Sequence, residues 1–160
     1  IPTICPGSFG YKRKIPTICP GSFGYKRKFD IHTGVDLYCN KGDQVFAIED
    51  GEVVAIEWFT GEKVDMPWWN NTQAVAIKGK SGVINYGEII PIFSLKVGSI
   101  VSEGNLIGAV IPVLKKDKGK VPSTSMLHLE LYSEYDGKWE IWNLNEPQPK
   151  NLLNPLKLLI

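Results

Sequence analysis

Two segments of the chain are written to the same rhythm, and this limits the fold more than any other feature. "NKGDQVFAIEDGEVVAIE" (40–57) and "LKVGSIVSEGNLIGAVI" (95–111) each run glycine turn, short strand, second glycine turn, apolar strand. Short runs rich in Val, Ile and Tyr, bounded by Gly, Asp, Asn and Lys, are strand signals. No segment carries a 3.6-residue period of useful length. The expectation is an all-β domain, a compact sandwich or barrel with repeated halves. Asp50-Gly51, between "QVFAIED" and "GEVVAIEWF", predicts a tight hairpin. Further strands are expected in "QAVAIKGK", "GVINYGEII", "SLKVGSIV", "GNLIGAVIPV" and "MLHLELYS". The closing "NLLNPLKLLI" allows one short helical turn, interrupted by Pro155.

Two long insertions break the pattern, "WFTGEKVDMPWWNNT" (58–72) and "LKKDKGKVPSTS" (114–125). Long loops on a small β core are common carriers of binding function. Trp58, Trp68 and Trp69 suit stacking on a ligand or covering a groove; padding an exposed sheet face is the alternative. The triplet beginning at Asn70 fits a glycosylation acceptor, a pattern that also arises by chance.

Residues 1–14, "IPTICPGSFGYKRK", recur unchanged as residues 15–28. So perfect a copy points to a recent duplication or an artefact rather than an old structural repeat, and a solenoid needs about three repeats. Residues 1–14 are read as an extension, and residues 15–160 as one domain. The basic cluster "YKRK" is read as a solvated turn. A formal net charge of +1 gives no electrostatic case for nucleic acid, and no apolar run in the 160 residues approaches the roughly 20 of a membrane span. Cys5 and Cys19 are repeat copies of one residue, and Cys39 is the third cysteine. A Cys19–Cys39 disulfide and buried thiols both remain open on the residues alone.

The chain has two histidines, His32 and His128. His32 lies in "HTGVD", with Asp36 four residues on. In a straight strand their α-carbons would be roughly 13 Å apart, at about 3.3 Å per residue. Gly34 between them permits the bend that would let them converge. In "STSMLHLELY" a period of two places Met126, His128 and Glu130 on one face and three leucines on the other. His128 therefore points away from the core. Two histidines and an aspartate make a zinc ligand set with a fourth position left for water.

"FG", "HTGVDLYCNKGDQVFAIEDGEVV", "GVINYGE", "LKVGSIVSEGNLIG", "STSMLHLELY" and a closing "NP" together resemble the lysostaphin-like (LytM-type) zinc metallopeptidases, from about Phe23 to Pro155. The resemblance implies a duplicated hybrid motif, a barrel-sandwich relative, as a single domain with two long loops. It implies Zn2+ as cofactor, hydrolysis of peptide bonds in peptidoglycan, and His32, Asp36 and His128 as ligands. It also implies a catalytic histidine at two further positions. Here those positions hold Met126 and Glu88. The stretch "VDLYC" is similar to the zinc-binding, non-peptidase branch typified by leukocyte-derived chemotaxin, and that likeness implies Cys39 pairing with Cys19.

Methionine neither moves protons nor donates hydrogen bonds. Glu88 can act as a general base, as glutamate does in other zinc peptidases, but an ionised carboxylate does not stabilise an oxyanion. Strand alternation puts Tyr86 on the face of Glu88, where its hydroxyl would donate. The favoured expectation is a zinc-binding domain, weak or inactive as a peptidase, directed at a cell-wall peptide or glycopeptide or at a protein partner. The alternative is an active endopeptidase with Glu88 as base. Either would work outside the cell, in a periplasm or on a virion. A lipoyl- or biotinyl-type carrier would need a lysine at an exposed hairpin tip, and the tips read "EDGE" and "SEGN".

Overall fold

A computed structural model of the chain describes residues 21–115 and 125–159. The first repeat copy, residues 1–14, and Cys19 lie outside them, as does most of the second insertion. Among the described residues the chain is all-β. Its strands are β1 (Asp30–Ile31), β2 (Val35–Tyr38), β3 (Gln44–Phe46), β4 (Gly51–Thr60), β5 (Thr72–Gly79), β6 (Gly82–Pro91), β7 (Ile100–Val101), β8 (Leu106–Val110), β9 (Met126–Tyr132), β10 (Trp142–Asn143) and β11 (Leu152–Leu153). Its helical pieces are two 3-10 turns, Glu62–Val64 and Pro155–Leu158. No helix of the described residues is long and apolar enough to cross a membrane.

The sheet is antiparallel throughout. β4, β5 and β6 form a meander, with β5 and β6 joined through Lys80 and Ser81. β6 also pairs with β9, and β9 pairs with β2 and β11. The hairpin expected at Asp50-Gly51 does not form. β3 instead pairs with β8, and β4 with β7. The first strand of each repeated half thus lies against the second strand of the other, so the halves interlock. One glycine turn is tied to the other, because Asp50 Oδ1 accepts from the Glu103 backbone N at 2.7 Å. Gly51 serves close approach rather than a turn: a Cβ there would lie 2.7 Å from Ile77 Cγ2.

The core is the apolar face of this sheet. Leu127, Leu129 and Leu131 of β9 are buried with Val35, Leu37, Ile84, Tyr86, Ile89 and Ile107. Alternation along β9 decides this, since the other face carries His128 and Glu130. Cys39 is buried in the same core. At the carboxyl end Pro155 opens a turn instead of interrupting one. Asn154 caps it by accepting from Leu156 N at 3.0 Å, and proline at a first helical position has no useful N–H to lose.

The first insertion is shorter than the sequence suggests, because β4 runs on to Thr60 and β5 starts at Thr72. Asn70 stitches it to the start of the second. Its Nδ2 donates to Pro112 O at 3.0 Å and Leu114 O at 3.2 Å, and its backbone N donates to Val113 O at 2.8 Å. The Asn70 amide is thus committed to two backbone carbonyls, which gives it a structural role. Trp58 and Trp68 are exposed, and Lys63 Nζ sits 4.8 Å from the centre of the Trp58 ring.

Candidate metal centre

His32, Asp36 and His128 meet on the polar face of the sheet. Each offers one ligand atom, and the three atoms lie within 4.8 Å of one another, all buried. Asp36 and His128 are direct register partners between β2 and β9, so alternation turns both to one face. His32 stands outside the strands, just after β1. The chain bends at Gly34 and crosses tightly over β9, where a Cβ would collide with Leu129 O and lie 3.0 Å from His128 Cε1. The bend brings His32 back over Asp36, which a straight strand would not.

The donor atoms point at one another. His32 Nε2 is 3.1 Å from Asp36 Oδ1 and 3.2 Å from His128 Nδ1, and His128 Nδ1 is 2.8 Å from Asp36 Oδ1. His32 Nδ1 lies 2.9 Å from Ser22 O. A carbonyl only accepts, so Nδ1 carries the proton and Nε2 presents its lone pair inwards. That is the tautomer a metal ligand needs. Two imidazole nitrogens and one carboxylate oxygen converging on a buried point fit a zinc ion in chemistry and number.

A second ring of groups holds these three. Glu130, fully buried, lies 3.6 Å from His128 Nε2 through its Oε2. The same carboxylate accepts from Thr33 Oγ1 at 2.6 Å, Asn85 Nδ2 at 2.6 Å and Tyr132 OH at 3.1 Å. Asn85 is the register partner of Glu130 on β6. Opposite His128 on β6 stands Gly87. Its missing side chain admits the Phe59 ring, centred 5.5 Å from the His128 ring; a Cβ on Gly87 would lie 2.8 Å from Phe59 Cε2. Phe59 in turn meets Trp139 edge-on at 6.1 Å, forming an apolar wall beside the centre.

The charges around the centre are strongly coupled. Burial would raise the Asp36 pKa, but hydrogen bonds and charge from His128 and His32 hold it well below the usual carboxylate range. Burial would lower that of His128, yet bonding to Asp36 and Glu130 and their charges raise it. Glu130 is lowered despite its burial, chiefly through His128. These directions belong to the metal-free protein.

Glu88 and Tyr86 separate, although alternation placed them together. Tyr86 pairs with Leu129 and sits in the core, its hydroxyl accepting from Ile48 N at 3.0 Å. Glu88 adopts φ 64°, and the β5–β6 register slips between Gln73 and Val75. This bulge reverses the alternation. Burial and the charge of Asp36 push the Glu88 pKa up to about 8, against the charges of His128 and Arg27. Its carboxyl therefore feels the residues of the candidate centre, and its buried Oε2 has no hydrogen-bond partner among the described residues. Met126 lies two residues before His128 on the same face, opposite Tyr38 of β2.

The sequence reading missed Arg27, Phe59 and the Glu130 network. Only Glu130 had a signal, its spacing of two from His128. Arg27, read as part of a solvated turn, places Nη2 3.3 Å from Asp36 Oδ2.

An all-β sheet of interlocked halves carrying a His-Asp-His cluster on one face defines a metallopeptidase-like class. The chain matches the model of peptidase family M23 over residues 30–139. The chain belongs to that family. Its fold is similar to the catalytic domain of lysostaphin from Staphylococcus simulans, at 20% identity and TM-score 0.58, covering 88% of this chain and 90% of that one. It is also similar to CbpA from L. salivarius REN, at 19% identity and TM-score 0.59, covering 91% and 88%. A third likeness is a zinc-containing peptidase from Vibrio cholerae, at 23% identity and TM-score 0.51, where 75% of this chain covers 33% of that longer one. No curated protein matches the chain.

Proposed function

We propose that this is a zinc-binding M23 domain directed at cell-wall peptides, working outside the cytosol, with His32, Asp36 and His128 as the ligands. The observation that carries this reading is the convergence of those three donor atoms within 4.8 Å. Family membership and the zinc-containing peptidase among its structural likenesses support zinc as the metal. A zinc ion there would polarise a carbonyl and bring the pKa of bound water near 7.

The chain's own residues limit how far such an ion could drive hydrolysis. A peptidase also needs a group that moves protons and a donor for the developing oxyanion. Met126 does neither, and Tyr86 is committed to the core through Ile48. On this reading the domain is weak or inactive as a hydrolase and holds a peptide or glycopeptide beside the metal.

One observation favours a second reading, an active endopeptidase. Glu88 Oε2, without a hydrogen-bond partner among the described residues, stands among the charges of the centre, where a carboxylate could act as a general base. Incubating the zinc-loaded chain with peptidoglycan or oligoglycine and counting new amino termini decides between them. No cleavage, with tight retention of the substrate, is the expected result. Cleavage lost in Glu88→Gln would establish the second reading, and neither cleavage nor binding would overturn both.

A further inference from the structure

We propose that Arg27 is a positioning residue of the metal centre, holding one oxygen of Asp36 so that only the other faces the metal. The assignment rests on the proposed metal site. It comes from how the Asp36 carboxylate is divided. Oδ1 faces His32 Nε2 at 3.1 Å and His128 Nδ1 at 2.8 Å, while Oδ2 faces Arg27 Nη2 at 3.3 Å. A carboxylate with both oxygens free can grip a cation through either or both. Here a guanidinium occupies the second oxygen, and a charge-assisted hydrogen bond fixes the plane of the group.

The backbone shows that Arg27 is placed rather than dangling. It sits on a short turn that leads directly into the first ligand. Arg27 N donates to Asp30 O at 2.8 Å, His32 N to Tyr25 O at 2.9 Å, and Gly24 N to His32 O at 2.9 Å. Lys26 and Ile31 close the turn as a bridge pair. The loop that sets His32 therefore also sets the guanidinium that sets Asp36. The side chain of Arg27 is 42% exposed and that of Asp36 only 5%, so a solvent-reaching cation secures a buried anion. An ordinary exposed ion pair contributes little. The difference here is that the partner atom belongs to a would-be ligand.

Two roles for this cation predict opposite signs. If Arg27 acts only through its charge, it repels a divalent ion, and removing it tightens metal binding. If it positions Asp36, removing it loosens binding, because partners of metal ligands are typically worth about 10–100-fold in affinity. The test uses the full chain, stripped of metal and titrated with Co2+, for the unsubstituted protein, Arg27→Met and Arg27→Lys. We expect Arg27→Met to weaken Co2+ binding about tenfold and to lower the visible absorption of the bound ion, as Asp36 gains freedom to bind through both oxygens. Arg27→Lys, which keeps a donor at Oδ2, should restore most of both. Thermal unfolding of the metal-free variants controls for folding. Unchanged or tighter binding in Arg27→Met, with an unchanged Co2+ spectrum, overturns the positioning role. Failure of the unsubstituted chain to bind Co2+ overturns the metal site itself, and Arg27's role with it.

Discussion

Asp36 and His128 stand directly opposite each other on β2 and β9, and their side chains meet at 2.8 Å across 92 residues of chain. The candidate metal centre is thus built on a strand pair, with His32 folded in from one side by the bend at Gly34. A site on paired strands is held by the register, and a slip of either strand by one residue would turn its group to the core face and part the pair.

Metal removal should destabilise the domain. A ligand that binds only the folded state adds about 2.7 kcal/mol when its free concentration is 100 times Kd. Chelation should lower Tm by a corresponding margin, and His32→Ala or His128→Ala should abolish both the shift and the bound zinc. A zinc-independent Tm in the unsubstituted chain would count against the site.

Glu130 should be structural as well as orienting. In Glu130→Ala, half-buried Thr33 and buried Asn85 and Tyr132 lose their shared acceptor. Each stranded polar group costs about 1–3 kcal/mol, so the loss should reach about 3 kcal/mol or more by urea unfolding. A loss below about 1 kcal/mol would show that water or repacking satisfies the three donors.

Gly87→Ala tests the Phe59 wall. The added methyl meets the Phe59 ring, with a Cβ only 2.8 Å from Cε2, and overpacking of this kind typically costs about 1–3 kcal/mol. Phe59 should shift away from His128, seen as a change in the His128 ring proton resonances. Stability and resonances both unchanged would mean that the ring is not held as described.

Glu88 should leave a signature in the pH dependence of the metal-free protein. Its pKa rises on folding from 4.5 to about 8, so the folded state holds the proton more tightly. Its contribution to stability is full below pH 4.5 and is lost as the pH climbs through about 8. Asp36, whose pKa falls on folding, acts the other way: its contribution is present above 3.8 and is lost as the pH drops through its lowered folded value. His128, raised on folding, loses its contribution as the pH rises through its folded value. Glu88→Gln should therefore gain stability over the unsubstituted chain progressively between pH 4.5 and 8. A difference between the two chains that stays flat across that range would show Glu88 to be solvated.

Much of the fold was legible from local chemistry. Val- and Ile-rich runs between glycines named most strands, and the period of two in "MLHLELY" sent three leucines inwards and His128 outwards. The same rule failed on β6, where a bulge at Glu88 broke the alternation and parted it from Tyr86. It failed again at Asp50-Gly51, where a strong turn dipeptide joins strands that pair elsewhere. In both places a distant partner is involved: at Glu88 the neighbour of β6 changes from β9 to β8, and at Gly51 β4 pairs with β7, and nothing in a short window of sequence announces that.

What the sequence alone determined was the inventory: an all-β chain, two written halves, and a His-x-x-x-Asp with a distant strand histidine. Those features come from residue type and spacing, which act over a few bonds. What only the tertiary structure decided was how they combine. β2 pairs with β9, and that register, not the spacing, joins Asp36 to His128. The bend at Gly34 delivers His32, and the turn before it delivers Arg27, which composition had marked as mere surface. Side chains far apart in the chain interact only once the backbone has fixed their distance, so a ligand set can be suspected from sequence, whereas the groups that hold it are visible only in space.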